Sequence, residues 1–180
     1  MNKIEAIKSE RDGLSVRDMI AHYAEAGWES IPEDDIQRLK WYGLFLRNPT
    51  PGHFMLRVRL PGGRTTSAQL DALGNLSLQY GNGVIDVTTR QQVQLRHLTI
   101  EHVPTVFAKL EEAGLTSLQT GMDSVRNIMT CPVAGLNPNE LLDGTDIVCA
   151  LNEEILGNPA YTNLPRKCNI AVTGCPDNCL

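Results

Sequence analysis

Arginines placed at even spacing on extended segments, in a chain that is acidic overall, point to recognition of an anionic ligand. The 180 residues carry 16 Lys and Arg against 21 Asp and Glu, a net charge of −5. In Phe54-Met55-Leu56-Arg57-Val58-Arg59-Leu60, apolar and basic side chains alternate, so Arg57 and Arg59 fall on one face of a strand. Arg90, Gln94 and Arg96 follow Thr88-Thr89 at even spacing and can share a face in the same way. Arg126 lies in a turn that starts at Gly121, and Arg166-Lys167 precedes a strand. Guanidinium groups bind carboxylates through paired hydrogen bonds and keep their charge at any relevant pH. The plainer alternative leaves each arginine on the surface or paired with one of the 21 acids. Periodicity alone does not bring separate segments together in space.

The cysteines pose a similar choice. All five (Cys131, Cys149, Cys168, Cys175, Cys179) lie in the C-terminal third. An odd number, so confined, argues against a secreted disulfide framework and for reduced thiols or metal ligands. Cys175 and Cys179 would sit one turn apart on a helix, a spacing that suits a metal or iron–sulfur centre. Two ligands do not complete a site, and the other three show no partner spacing, so no metal ligand is assigned. His22, His53, His97 and His102 form no ligand spacing either.

An acidic pI near 5.3 carries no footprint of nucleic-acid binding. No apolar run reaches membrane-span length, and the polar start from Met1 to Arg11 resembles neither a signal nor a transit peptide. A cytoplasmic protein is expected. The last residues, Gly174-Cys175-Pro176-Asp177-Asn178-Cys179-Leu180, break off within what reads as a motif, so truncation at Leu180 is expected.

Positioning the arginines falls to the surrounding elements. Residues 1–49 are expected to be a helical segment. Asp12 and Ser15 are candidate caps, Val16, Met19, Ile20 and Tyr23 recur at helical spacing up to Gly27, and a second helix follows Pro32. Residues 50–118 read as strand Phe54–Leu60, a helix capped at Thr66 or Ser67, strands over 84–88 and 92–98, a helix opened by Pro104 and closed by Gly114, and a short strand over 115–118. That alternation predicts an α+β ferredoxin-like unit. Residues 119–180 read as the start of a second domain, with a helix near Ile147–Leu156 and a strand over 169–173.

Four stretches in order resemble the assimilatory nitrite and sulfite reductase family. They are Met55 to Gly63; Asp86-Val87-Thr88-Thr89-Arg90-Gln91 with Gln94 and Arg96; Gly114 to Gln119 leading into Gly121-Met122-Asp123-Ser124-Val125-Arg126-Asn127; and Asn163-Leu164-Pro165-Arg166-Lys167-Cys168-Asn169. The resemblance implies a ferredoxin-like nitrite/sulfite reductase half-domain followed by the truncated start of the sirohaem-binding α+β domain. The implied cofactors are sirohaem and a 4Fe–4S cluster, whose ligands are expected downstream of this chain. Sirohaem bears eight carboxylates, which gives a cluster of arginines a physical purpose. By resemblance, Arg90, Gln94, Arg96 and Arg166 hold the macrocycle, and Arg57, Arg126, Lys167 and Asn169 line the substrate face. The resemblance likens Cys175 and Cys179 to a position that holds no cluster ligand in bacterial nitrite reductases.

Asn169 stands where sulfite reductases carry lysine, which favours nitrite over the dianion sulfite. The implied activity is six-electron reduction of nitrite to ammonium with ferredoxin as donor, by a full-length monomer that binds neither membrane nor nucleic acid. A sulfite reductase of the same family is the first alternative. A ferredoxin-like binding module without redox activity is the second.

Overall fold

The structure, a computed structural model, describes residues 2–177. It opens with helix α1 (Lys3–Glu10), capped by the Asn2 side chain. A 3-10 turn (Gly13–Met19) runs into α2 (Ile20–Ala26). Asp12 caps that turn, accepting from the Leu14 amide at 2.7 Å, whereas the Ser15 hydroxyl donates back to the Asp12 carbonyl at 2.7 Å and caps nothing. Gly27 ends α2, and α3 (Glu33–Arg38) starts on three acids that complement its dipole. A further 3-10 turn (Leu39–Tyr42) leads to β1 (Leu44–Leu46). The stretch expected to be wholly helical therefore ends in a strand.

The central unit adds β2 (Phe54–Val58), α4 (Ser67–Tyr80), β3 (Ile85–Val87), β4 (Val93–Leu98) and α5 (Val103–Glu112). Thr66, not Ser67, caps α4. Its hydroxyl accepts from the Gln69 amide at 3.2 Å while the Gln69 side chain accepts from the Thr66 amide at 3.0 Å, a reciprocal box. The antiparallel sheet has the order β1-β2-β4-β3. Residues 115–118 do not continue as a strand, leaving a single bridge between Arg59 and Thr116.

Alternation gives the sheet two unlike faces. Phe54, Leu56 and Val58 join Val93 and Leu95 in a core with Leu73 and Leu76 of α4 and Val106, Phe107 and Leu110 of α5. Met55, Arg57, Gln94 and Arg96 take the opposite face by the period of two. A bulge at His97, whose φ is 59°, adds one residue to β4 and returns Leu98 to the core.

Beyond Gly121 the chain forms β5 (Val125–Thr130), α6 (Thr145–Ile155) and β6 (Cys168–Val172). β5 and β6 pair in parallel beneath α6, around Val125, Ile128, Val148 and Ile155. Arg126 was expected in a turn but lies on β5. The architecture is α+β. No helix among the described residues is long and apolar enough to cross a membrane.

Candidate functional site

Arg57 on β2 faces Gln94 on β4, which in turn faces Asp86 on β3. Beside this row, the loop from Thr88 to Gln92 folds over the Thr88 hydroxyl, which accepts from the amides of Arg90 (3.3 Å) and Gln92 (3.1 Å). Gln91 takes a φ of 54°, a conformation non-glycine residues avoid, and is held there from β5. Its side chain donates to the Thr130 carbonyl (2.6 Å) and accepts from the Thr130 amide (3.1 Å), and Asn127 donates to the carbonyls of Arg90 and Gln91. The loop is thereby fixed to the second unit. A cavity of about 230 Å³ results, lined by Arg57, Thr88, Thr89, Arg90, Gln92 and Gln94.

The bonding within this cavity is incomplete in one direction. Arg57 Nε and Gln92 Nε2 are buried donors with no partner among the described residues. Burial and the repulsion of Arg90 and Arg96 both depress the Arg57 pKa. Buried donors beside unneutralised positive charge call for an acceptor-rich anion.

Arg126 joins the cluster from β5. Its Nη1 donates to the Thr120 carbonyl at 3.1 Å, the same oxygen that accepts from Arg57 Nη1 at 3.1 Å. Two bonds to the Met122 carbonyl, at 3.0 and 2.7 Å, fix the rest of the guanidinium. Burial, then the charges of Arg57 and Arg90, push its pKa down to about 10, so it stays cationic at neutral pH.

Arg126 also borders a second cavity, of about 380 Å³, whose wall includes Arg166, Lys167, Lys40, Phe45 and Met122. Arg166, Lys167 and Asn169 are exposed. The structure thus brings Arg57, Arg90 and Gln94 to one cavity and Arg126, Arg166 and Lys167 to its neighbour, with Arg57 and Arg126 meeting at Thr120. Asn169 sits on β6 apart from both linings, and Arg96 lines a third cavity, ion-paired with Asp86.

Sequence reasoning passed over three residues. Asn127 lay within a quoted motif but carries no charge, Gln92 fell between quoted residues, and Lys40 read as ordinary helix. Arg59 shares the face of Arg57 but is 1% exposed, bonded to Asn152 and to three backbone carbonyls, and so serves the fold.

The donor set fits a polycarboxylate macrocycle at the first cavity. For a cluster the case differs. No group of three or more His, Cys, Asp or Glu among the described residues could hold a metal ion. Cys175 is buried and accepts from Asn137 at 3.4 Å, while Cys179 lies outside the described residues.

Comparison with known proteins follows the same division. A family model described as the nitrite/sulfite reductase ferredoxin-like half domain matches residues 47–113. Another, the nitrite and sulphite reductase 4Fe-4S domain, matches residues 121–180. The protein named ferredoxin–nitrite reductase from Synechococcus elongatus is 50% identical over 99% of this chain and 36% of its own length. The chloroplastic ferredoxin–nitrite reductase of Arabidopsis thaliana is 41% identical over 98% of this chain and 33% of its own. Among solved structures, the NirA protein of Mycobacterium tuberculosis superposes with a TM-score of 0.92 at 30% identity, over 99% of this chain and 36% of that one. The chain spans about a third of the length of the curated relatives it matches. With both halves matched in order and the fold shared throughout, the chain belongs to the nitrite and sulfite reductase family.

Proposed function

We propose that this chain is the N-terminal part of a ferredoxin-dependent nitrite reductase that carries out six-electron reduction of nitrite to ammonium. The observation that carries the reading is the meeting of Arg57, Arg90 and Arg126 around buried donors without partners, Arg57 Nε and Gln92 Nε2. When bound, sirohaem coupled to a 4Fe–4S cluster would supply the redox chemistry, with the electrons coming from the donor. This chain supplies binding and charge. Arg90, Gln94 and Arg166 hold carboxylates of the macrocycle, and Arg96 joins them on leaving Asp86. Arg57, Arg126 and Lys167 hold the anion and offset charge as N–O bonds break. Asn169 tunes the choice of anion, and its substitution by lysine in a protein extended to the relatives' length should shift preference toward sulfite. The ferredoxin-like half-domain is taken as residues 50–118 and the cofactor-binding unit as starting at 119. No cluster ligand is assigned to this chain. Ferredoxin as donor, a monomeric assembly and a cytoplasmic location complete the reading, the donor being supported by the relatives' names.

The test uses uroporphyrin III, a tetrapyrrole with eight carboxylates, titrated into the purified chain by fluorescence. Saturable binding is expected, weakened about tenfold by Arg90→Met, the loss of one charge-assisted contact. Binding that Arg90→Met leaves unchanged, or that Lys109→Met on the remote helix α5 reduces to the same degree, would refute the proposed cavity.

A further inference from the structure

We propose that the cavity between the Leu39–Tyr42 turn and the Arg166–Lys167 segment binds a small oxyanion, with Lys40 as a direct ligand. The identity of that anion, nitrite, rests on the function proposed above. Lys40 lies before both stretches that the family models match, 47–113 and 121–180.

Charge bookkeeping within the cavity favours an anion. Four cations reach its wall from three segments: Lys40, Arg126, and the adjacent Arg166 and Lys167. Two acids also line it, Glu5 and Asp123, but Lys8 engages both, pairing with Glu5 and lying 3.2 Å from Asp123. None of the four cations forms an ion pair among the described residues. Lys40 is half-buried and donates to one neutral acceptor, Gln37 Oε1, at 2.5 Å. An ammonium group has three donors, so two remain for a ligand. Burial depresses its pKa, the mark of a cation whose lost hydration nothing charged replaces.

Placement ties this cavity to the first. Phe45, on its wall, lies under the Arg57 guanidinium at 4.9 Å, and Arg126 shares the Thr120 carbonyl with Arg57. An anion held by Lys40 and Lys167 would therefore rest beside the arginines assigned to the reaction. Long-range attraction toward such a funnel raises local anion concentration.

Nitrite titrated into the nitrogen-15-labelled chain, against chloride at equal ionic strength, tests the proposal through the amides of Phe45, Met122 and Arg126. Saturable shifts specific to nitrite are expected. Lys40→Met should weaken the apparent affinity about three- to tenfold, with Lys40→Arg restoring it to within about twofold. Carbon-13 at the Lys40 ε position gives a second readout in the unaltered chain, and it should move with the same saturation curve. A folded Lys40→Met chain that binds nitrite as tightly as the parent, or an ε carbon that stays still, overturns the proposal. So does the absence of nitrite-specific shifts. Uroporphyrin binding measured in parallel separates the cases: if it survives while the nitrite response fails, this proposal falls and the macrocycle cavity proposed above stands.

Discussion

Replacing Arg59 with methionine should destabilise the chain by about 3–5 kcal/mol, although it removes a buried charge. Arg59 is 1% exposed and faces no carboxylate among the described residues. Burial pushes its pKa down to about 10 from an ordinary 12.5. That puts the cost of keeping the cation there at roughly 3 kcal/mol. Against this stand bonds to Asn152 Oδ1 at 2.6 Å, the Arg126 carbonyl at 3.0 Å and the Val125 carbonyl at 3.2 Å, with a weaker one to Gln119 at 3.4 Å. Bonds to a charged donor contribute about 1.5–3 kcal/mol each, so three good ones outweigh the desolvation. Methionine matches the volume and removes every donor, leaving the acceptors of β5 and α6 buried without partners. Replacing a buried ion pair by apolar residues is often neutral because both partners go, but here only one does. Urea unfolding followed by circular dichroism should show the midpoint falling by roughly 1.5–2.5 M at a slope near 2 kcal/mol/M. Arg59→Lys, which keeps the charge but not the fork, should fall between. A methionine variant as stable as the parent would refute the reasoning, showing that water or relaxation satisfies those carbonyls.

Three further outcomes follow from the same geometry. Gly121→Ala should cost about 2–4 kcal/mol, because its Cβ would lie 2.0 Å from the Lys40 carbonyl, whereas Gly74→Ala, with open space on α4, should add about 0.5–1 kcal/mol in the same urea assay. Tyr23 is buried, and desolvation, then its bond to Asp35, raises its pKa to about 12 from 10.0. Because the folded value is the higher one, the stability it contributes is complete below pH 10 and lost as pH rises towards 12, by roughly 2–3 kcal/mol; unfolding midpoints across that window should fall less steeply in Tyr23→Phe. Asp86→Asn should change stability by less than about 1 kcal/mol, since its pair with Arg96 is partly exposed. The same substitution should tighten uroporphyrin binding by freeing Arg96, and weaker binding would show that Arg96 contributes only to the sheet.

Where side chains alternate, the sequence was readable. Arg57 and Gln94 ended on one face because β2 and β4 bury their other faces against helices, a constraint visible in Phe54-Met55-Leu56-Arg57-Val58 itself. Thr66 with Gln69 likewise announces the start of α4 through a local bond. The missed strands share a different cause. β1 is three apolar residues, Leu44-Phe45-Leu46, with no alternation, and it exists because Leu44 pairs with Leu56 and Leu46 with Phe54. β5 breaks its apolar run with Arg126 and Asn127, and its partner β6 lies some forty residues on. The expected strand over 115–118 fails because the Thr116 hydroxyl accepts from the Leu118 amide and turns the chain after one bridge. The two missed strands depend on pairing across the fold, which no local period records.

The segment before the matched family regions has a larger part in the site than its helical pattern implied. Gln119 and Met122, with φ near 54° and 53°, bend the loop that carries Thr120, the oxygen shared by Arg57 and Arg126. Such conformations persist only when their surroundings hold them. The holding comes from the N-terminal segment: the Trp41 carbonyl accepts from the Gln119 amide at 2.6 Å, and the Trp41 indole donates to the Thr162 carbonyl at 2.6 Å. Lys8 adds bonds to Asp123 and to the Leu164 carbonyl, joining the loop to the strand leader that bears Arg166 and Lys167. Gly43 and Gly121 permit the approach, since a Cβ on Gly43 would meet Thr120 Oγ1 at 2.4 Å and one on Gly121 the Lys40 carbonyl at 2.0 Å. The arginines at Thr120 therefore owe their mutual position to three layers at once: the polar face of the antiparallel sheet, the parallel pair β5–β6, and a helical segment that carries none of the eight residues singled out from the sequence.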